Sequence, residues 1–262
     1  MQAGSASNAA GVDVSEWQGL VQWPQVRAAQ RYFAMIRSSY GDTVTDSMFH
    51  TNWIEAQKAG LVVGAYHFAI PDASPPNTQV AFMLNIIDHA GGYQGGNLAP
   101  ALDLEEAGTL SDASLKDWAV TFCDGLDAAI KNPRQRTMVY SYPSFIASHP
   151  VTFAALGDRA IWIAYYNPSE FPPNAGPWAS WTMWQYADNG RVNGIPTAVN
   201  LDEWHSDAAG LNQPSTTPVV SSTVKSLQEE IAKLQETLSG KENMIQTLQT
   251  AIDKVKAAIK GV

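Results

Sequence analysis

The chain has 262 residues, of which 45% are hydrophobic, and its nine tryptophans are typical of a folded body with a sizeable core. The formal net charge of -9 argues against nucleic acid and anionic membrane surfaces as partners, because both would repel an acidic protein. A single cysteine, Cys123, rules out an internal disulfide and a cysteine-based metal cluster, and we expect a buried, inert thiol.

The N-terminal segment has neither a basic region nor an apolar core of the kind found in secretory signals. No stretch of the sequence is apolar for long enough to span a membrane. We therefore expect a product made in the cytoplasm without a signal peptide and without a membrane anchor.

Eight short runs of β-branched or aromatic residues alternate with helical patterns in the first 210 residues. Eight is the number of strands that closes a parallel barrel. The predicted strands are Val12–Val14, Phe33–Ser38, Val62–Phe68, Ala99–Leu104, Thr137–Ser141, Ile161–Tyr165, Thr182–Tyr186 and Ala198–Leu201.

Helical periodicity is clear after the second, third and fourth strands and weak beyond the fifth. The clear helices are Ser47–Ala59, behind Asp46 as a candidate N-cap, Asn77–His89, and Ser111–Ile130, behind Ser111. Two short helices are predicted at Pro143–His149 and Phe153–Leu156. The sequence thus predicts an α/β fold, an irregular (β/α) barrel of eight strands with about five helices over residues 11–210, preceded by a flexible N-terminus of residues 1–10.

A linker with two prolines and three hydroxyl residues, residues 211–218, separates the barrel from a heptad pattern over residues 219–262. Only Lys241 is polar among the core positions, and such a pattern favours a parallel two-stranded coiled coil. We expect this helix to make the protein a homo-oligomer, with a dimer favoured; the alternative is an amphipathic helix packed on the barrel. The a positions are Val224, Ile231, Leu238, Ile245, Ile252 and Ile259, and the d positions are Leu227, Leu234, Lys241, Leu248, Val255 and Val262.

Two carboxylates close the fourth predicted strand. Asp103 and Glu105 are two residues apart, so they point to the same side of the strand. Paired carboxylates can act as general acid and charge stabiliser in the hydrolysis of glycosidic bonds. The alternative from this motif alone is a salt bridge at the strand end or a helix cap.

In a (β/α) barrel, functional residues gather at the C-terminal ends of the strands. These positions hold carboxylates ringed by aromatic and amide side chains, which suit sugar binding. Besides Asp103 and Glu105, the candidates are Asp13, Arg37, Tyr66, Tyr140, Tyr165, Trp184, Gln185, Asn200 and Asp202. Trp17, Trp23, Trp53, Trp118 and His67 are assigned mainly to the core. The histidines show no metal-ligand spacing, so neither a metal nor a cofactor is expected.

Five blocks of the sequence resemble glycoside hydrolase family 25, the Chalaropsis-type lysozymes common among phage endolysins. The blocks are Gly11-Val-Asp-Val-Ser-Glu-Trp-Gln-Gly19, Ala65-Tyr-His-Phe68, Ala101-Leu-Asp-Leu-Glu105, Ile161-Trp-Ile-Ala-Tyr165 and Met183-Trp-Gln-Tyr186. They follow the family's order and cover roughly residues 11–205. The resemblance implies an irregular barrel and a muramidase that cleaves the β-1,4 bond between N-acetylmuramic acid and N-acetylglucosamine in bacterial peptidoglycan.

The resemblance also implies roles for individual acids. Glu105 matches the general acid/base, Asp103 the neighbouring aspartate that stabilises the reacting centre, and Asp13 the aspartate at the floor of the site. The family's fourth acid corresponds to Asn200, an amide, and Asp202 is a possible substitute two residues on. The resemblance leaves open whether Asp103 attacks directly or stabilises the N-acetyl group of the substrate.

Two other functions remain as alternatives. A chitinase-like barrel would also use carboxylates after strand four, but its longer acidic motif is missing. A catalytically weak or inert, multivalent peptidoglycan-binding protein would explain Asn200, with the coiled coil supplying avidity. With no signal peptide, we expect an endolysin-like enzyme to reach the cell wall only after its release from the producing cell.

Overall fold

A computed structural model describes residues 1–94, 96–130, 136–167, 170–207 and 209–212, together with Lys241 and Gln249. The chain divides into two compact units, Met1–Thr216 and Thr217–Val262, and the first contains the fold described below. The predicted coiled coil and residues 213–218 of the linker lie outside the described residues, except that Lys241 and Gln249 are both helical. In the described part of the chain, no helix is both long and apolar enough to cross a membrane.

Eight strands of the described residues form a closed barrel, and a ninth extends one of them as a short hairpin. The strands are β1 (Ala9–Val14), β2 (Phe33–Tyr40), β3 (Val44–Thr45), β4 (Val62–Phe68), β5 (Ala101–Asp103), β6 (Met138–Ser141), β7 (Ile161–Ala164), β8 (Met183–Gly190) and β9 (Val199–Trp204). The helices are α1 (Trp23–Ala28), α2 (Phe49–Lys58), α3 (Pro76–His89), α4 (Asp112–Ile130), α5 (Pro143–Ser148) and α6 (Pro150–Ala155).

The barrel runs in the order β1-β9-β8-β7-β6-β5-β4-β2 and closes by the pairing of β1 with β2, which confirms the predicted eight-stranded closure. The last strand departs from the parallel order of a regular (β/α) barrel. β9 runs antiparallel to both β8 and β1. Only residues 191–198 connect β8 to β9, and a parallel crossover needs about a dozen residues or more.

The segment 1–10, predicted to be flexible, is bound to the barrel. β1 begins at Ala9, whose side chain is buried, and pairs with Trp204 of β9. Further upstream, the ammonium group of Met1 donates to the carbonyl of Pro172 at 3.0 Å, and Gln2 donates to the carbonyl of Trp181 at 2.8 Å. These hydrogen bonds depend on loops far along the chain, so no local pattern in the first ten residues reveals them.

Apolar side chains fill two layers. One layer occupies the barrel interior and includes Phe33, Met35 and Trp162. The other lies between the strands and the helices, where α4 buries Phe122 and Cys123, as predicted for that cysteine. Because side chains alternate along a strand, each barrel strand supplies both layers.

The helix starts agree partly with the predicted caps. Ser111 accepts a hydrogen bond from the amide of Ser114 at 3.2 Å, as an N-cap of α4 does. Asp46 accepts instead from the amide of Met48, the residue before α2, at 3.0 Å. The additional short helix α1 was not predicted, because six residues beginning Trp23-Pro24 carry little periodicity.

Candidate active site

The two carboxylates at the end of β5 lie side by side. Asp103 is the last residue of the strand and Glu105 follows Leu104, which packs into the outer apolar layer. The carboxyl groups of Asp103 and Glu105 are in hydrogen-bonding contact. Burial is the largest cause that raises the pKa of both carboxyls, which favours their protonated forms.

The environments of these two carboxyls differ. Asp103 is only 4% exposed, and its Oδ1 receives no hydrogen bond in the described part of the chain. Glu105 is half-buried and faces the cleft. Asp103 is therefore the deeper carboxyl of the pair, and Glu105 is the one that a substrate can reach.

Asp13, on β1, is held by two amides. Gln185 Nε2 donates to Asp13 Oδ2 at 2.6 Å, and Asn200 Nδ2 donates to Asp13 Oδ1 at 3.1 Å. The antiparallel pairing of β9 with β1 puts Asn200 directly opposite Asp13. Burial raises the pKa of Asp13 to about 6, while the hydrogen bonds from Gln185, Asp202 and Asn200 act in the opposite direction.

Asp202 lies deeper in the barrel than Asn200. Its side chain is fully buried, and its Oδ1 accepts a hydrogen bond from the indole Nε1 of Trp162 at 2.8 Å. Its carboxyl group also contacts that of Asp13. It is absent from the lining of the cleft, whereas Asn200 is part of it.

The acids line a cleft with two lobes. Glu105 and Tyr140 border both lobes, so the acid stands where they meet. The deep lobe, of about 270 Å³, is lined by Asp13, Ser15, Trp17, Gln18, Arg37, Tyr66, Phe68, Asp103, Glu105, Tyr140, Trp162, Gln185 and Asn200. The aromatic lobe, of about 630 Å³, is lined by Glu105, Tyr140, Tyr142, Pro143, Ser144, Ala164, Tyr165 and Tyr166.

Five of the predicted substrate-binding residues line the deep lobe, and Tyr165 lines the aromatic lobe. The five are Arg37, Tyr66, Tyr140, Gln185 and Asn200. Arg37 is already occupied there, since its guanidinium forms ion pairs with Glu16 at 3.1 Å and with Asp46 at 2.9 Å.

Trp184, also predicted to bind substrate, does not line either lobe of the cleft. Gln185 points into the barrel, and alternation along β8 turns Trp184 outwards. Its indole Nε1 donates to the carbonyl of Tyr165 at 2.9 Å, and its ring packs against Trp181 at 5.9 Å between centroids. Trp184 therefore lies outside the lining of both lobes, and this position does not support its predicted sugar-stacking role.

Trp17 was assigned to the core, but its side chain is 74% exposed at the rim of the deep lobe. Two further tyrosines, Tyr142 and Tyr166, which are not among the predicted site residues, line the aromatic lobe. Tyr166 and Tyr140 both donate a hydrogen bond to Oε1 of Gln185. The sequence signal that could have identified these residues is their position: Trp17 follows β1 and Tyr166 follows β7, at the mouth of the barrel.

His67 lies in the core, as predicted. Its ring bonds to Ser39 Oγ through Nδ1 and to Gln79 Oε1 through Nε2, both at 2.8 Å, and stacks on Phe122. Burial lowers the pKa of His67 to about 4, so the ring is neutral near pH 7. Among the residues that the structure describes, no three or more His, Cys, Asp or Glu side chains are grouped for metal binding.

Comparison with known proteins agrees with this geometry. The chain is 30% identical over 215 residues to lysozyme M1 of Streptomyces globisporus, covering 78% of this chain and 70% of that protein. It is 27% identical over 205 residues to the N,O-diacetylmuramidase of Chalaropsis sp, covering 72% and 93% respectively. The crystal structure of a bacterial lysozyme from Streptomyces coelicolor matches with a TM-score of 0.71 and 29% identity, over 79% of this chain and 97% of that one.

The model of the glycosyl hydrolases family 25 matches residues 12–195, which include the strand-end acids Asp13, Asp103 and Glu105. This match covers well over half of the chain, and the closed eight-stranded barrel agrees with it. The protein therefore belongs to glycosyl hydrolase family 25.

Proposed function

We propose that the protein is a muramidase that hydrolyses the β-1,4 bond between N-acetylmuramic acid and N-acetylglucosamine in peptidoglycan. The observation that carries the proposal is the contact between Asp103 and Glu105 at the junction of the two lobes. A glycan strand laid across both lobes would bring one glycosidic bond to this junction. Family membership and the muramidase activity named for its relatives support the same bond.

Glu105 serves as the general acid in this mechanism. Burial raises the pKa of Glu105, the hydrogen bond with Asp103 lowers it, and the nearby charge of Asp13 raises it again; the net upward direction favours the protonated form that a general acid needs. The proton passes to the glycosidic oxygen as the bond from that oxygen to C1 breaks. Glu105, now ionised, then takes a proton from the water that attacks C1.

Asp103 and Asp13 stabilise the positive charge that develops at the sugar ring in the deep lobe. In glycosidases whose carboxylate attacks C1 directly, the two carboxyl groups are about 5–5.5 Å apart, with the sugar between them. Here they are in contact, which favours attack on C1 by the carbonyl oxygen of the substrate's own N-acetyl group. Asp103 would then orient that acetamido group.

The two lobes suit different parts of the substrate. The deep lobe combines carboxylates and amides, which can hydrogen-bond sugar hydroxyls and the acetamido group. The aromatic lobe presents Tyr142, Tyr165 and Tyr166, whose rings can pack against sugar faces. The protein thus binds a neutral glycan backbone without needing basic residues.

The test replaces Glu105 and its neighbour separately. Glu105→Gln should lower the rate of peptidoglycan hydrolysis by about 1,000-fold, because the amide cannot donate a proton to the leaving oxygen. Glu106→Gln is the matched control, since Glu106 is exposed and outside both lobes, and should stay within about twofold of wild type. Mass spectrometry of the digested wall identifies the bond, because a muramidase leaves muramic acid at the new reducing ends.

The same experiment tests the alternative of an inert binder. Such a protein would coat bacterial walls without clearing their turbidity, and Glu105→Gln would change nothing. Host-cell lysis, and dimerisation through residues 219–262, stay predictions. They are tested by the timing of lysis on expression in the host and by sedimentation of a chain ending at Pro218.

A further inference from the structure

Asp202 is the one acid of the site that no substrate can touch. Its side chain is fully buried beneath Asp13 and Asn200, and it does not line either lobe. Oδ1 of Asp202 accepts the indole hydrogen of Trp162, but within the described part of the chain its Oδ2 receives no hydrogen bond from an amide, hydroxyl or indole group. A buried carboxylate with an uncompensated oxygen is expensive, so this carboxyl needs another way to satisfy Oδ2.

The carboxyl group of Asp13 is the partner that satisfies Oδ2 of Asp202. Asp13 and Asp202 are in hydrogen-bonding contact, and a hydrogen bond between two carboxyls requires a proton on one of them. Asp13 already accepts from Gln185 and Asn200, which favours its ionised form. Asp202 accepts only from Trp162, so the proton belongs on Asp202.

We propose that Asp202 is a positioning residue that keeps its proton and donates it as a hydrogen bond to Asp13, so that Asp13 stays ionised at the floor of the cleft. Asn200 and Asp202 then have complementary roles in holding Asp13. Each donates to Asp13, one from the cleft wall and one from below, and neither acts as a carboxylate. The amide at position 200 is thereby explained, because a carboxylate there would repel Asp13 instead of donating to it.

The catalytic consequence rests on the proposed function of Glu105. An ionised Asp13 raises the pKa of Glu105 and keeps that acid protonated to higher pH. Asp202 would therefore act on the reaction only through Asp13. Besides Glu105, the titratable groups of the described chain that interact with Asp202 or Asp13 are Arg31, Tyr66, Asp103, Tyr140, Tyr166 and Tyr186.

Two substitutions of Asp202 test whether its carboxyl group is protonated or ionised in the wild-type protein. Asp202→Asn keeps one donor for Asp13 and one acceptor for Trp162, so kcat should stay within about threefold of wild type. Asp202→Leu removes both groups and should lower kcat by about tenfold or more. It should also move the alkaline limb of the pH profile to lower pH, since a neutralised Asp13 no longer supports the proton on Glu105.

A readout that needs no activity is the infrared C=O stretch of a protonated carboxylic acid. The difference spectrum between wild type and Asp202→Asn at pH 7 should contain one such band. It should persist when both proteins also carry Glu105→Gln, which abolishes the proposed catalysis. Absence of the band, or a loss of kcat in Asp202→Asn as large as in Asp202→Leu, would overturn the inference whether or not the protein is a muramidase.

Discussion

Gln185 joins Asp13 to the tyrosines above the cleft through a single side-chain amide. Its Nε2 lies 2.6 Å from Asp13 Oδ2, and its Oε1 accepts from Tyr140 at 2.9 Å and from Tyr166. Asp13, Gln185 and Tyr140 are buried and Tyr166 is exposed, so the amide links the buried acid to the open aromatic lobe. Gln185 thus holds Asp13 and the two tyrosines in addition to lining the deep lobe.

Gln185→Met should lower kcat/KM by about 10- to 100-fold, because a charge-assisted hydrogen bond to Asp13 is lost together with the acceptor for two tyrosines. The measurement is steady-state hydrolysis of solubilised glycan strands. Gln57→Met is the matched control, since Gln57 makes a comparable amide bond, 2.8 Å to the carbonyl of Trp53, far from the cleft. Equal effects of the two substitutions would show that Gln185 matters only for folding.

Trp17 should contribute to binding and hardly to stability. Its ring is 74% exposed at the rim of the deep lobe, where it can stack on a sugar. Trp17→Ala should raise KM about three- to tenfold, with kcat little changed. Leu20→Ala is the control, since Leu20 is 64% exposed on the same loop but outside the lobe lining, and should leave KM unchanged. A fall in kcat with constant KM would exclude stacking on the bound substrate.

Most of the barrel could be predicted because its strands are short β-branched runs bounded by turn residues, a local signal. The direction of β9 could not, since it depends on how few residues, 191–198, connect it to β8. The strand-end rule located Asp13, Asp103 and Glu105, because parallel strands bring their C-terminal ends to one rim.

The aromatic residues were predicted less well, because the side to which a ring points depends on strand phase. Gln185 and Trp184 are neighbours, so both cannot face the barrel interior, although the sequence names both as site residues. Trp17 shows the opposite error: a tryptophan is usually buried, and only its place in a short 3-10 turn after β1 exposes it. Which of these side chains faces the barrel interior, and which faces solvent, is decided by packing over the whole barrel.

Trp184→Phe should reduce stability without affecting binding. The indole donates to the carbonyl of Tyr165 and packs on Trp181 outside the cleft. Losing this hydrogen bond and part of the packing should cost about 1–2 kcal/mol in the free energy of unfolding. Urea denaturation measures this cost, and KM for glycan strands should equal that of wild type. A raised KM with unchanged stability would contradict this prediction and show that Trp184 takes part in substrate binding.

His67 should make folding stability depend on pH in a definite direction. Burial lowers its pKa to about 4, below the value of about 6.5 expected in the unfolded chain. Between these values the unfolded state binds more protons, so the contribution of His67 is complete above about pH 6.5 and declines as the pH falls towards 4, by about 3 kcal/mol in total. Asp13, with its pKa raised to about 6, contributes with the opposite sign.

The contributions of His67 and Asp13 to folding stability can be separated by comparing wild type with His67→Gln. The measurement is urea denaturation from pH 7 to pH 4.5. At pH 7 the variant should be less stable, because a glutamine cannot reproduce the bonds to both Ser39 and Gln79 and the stacking on Phe122. As the pH falls, the difference should shrink, because only the wild type has an imidazole to protonate, whereas Asp13 titrates in both proteins and cancels. A difference that stays constant across this range would mean that the buried imidazole is not held neutral.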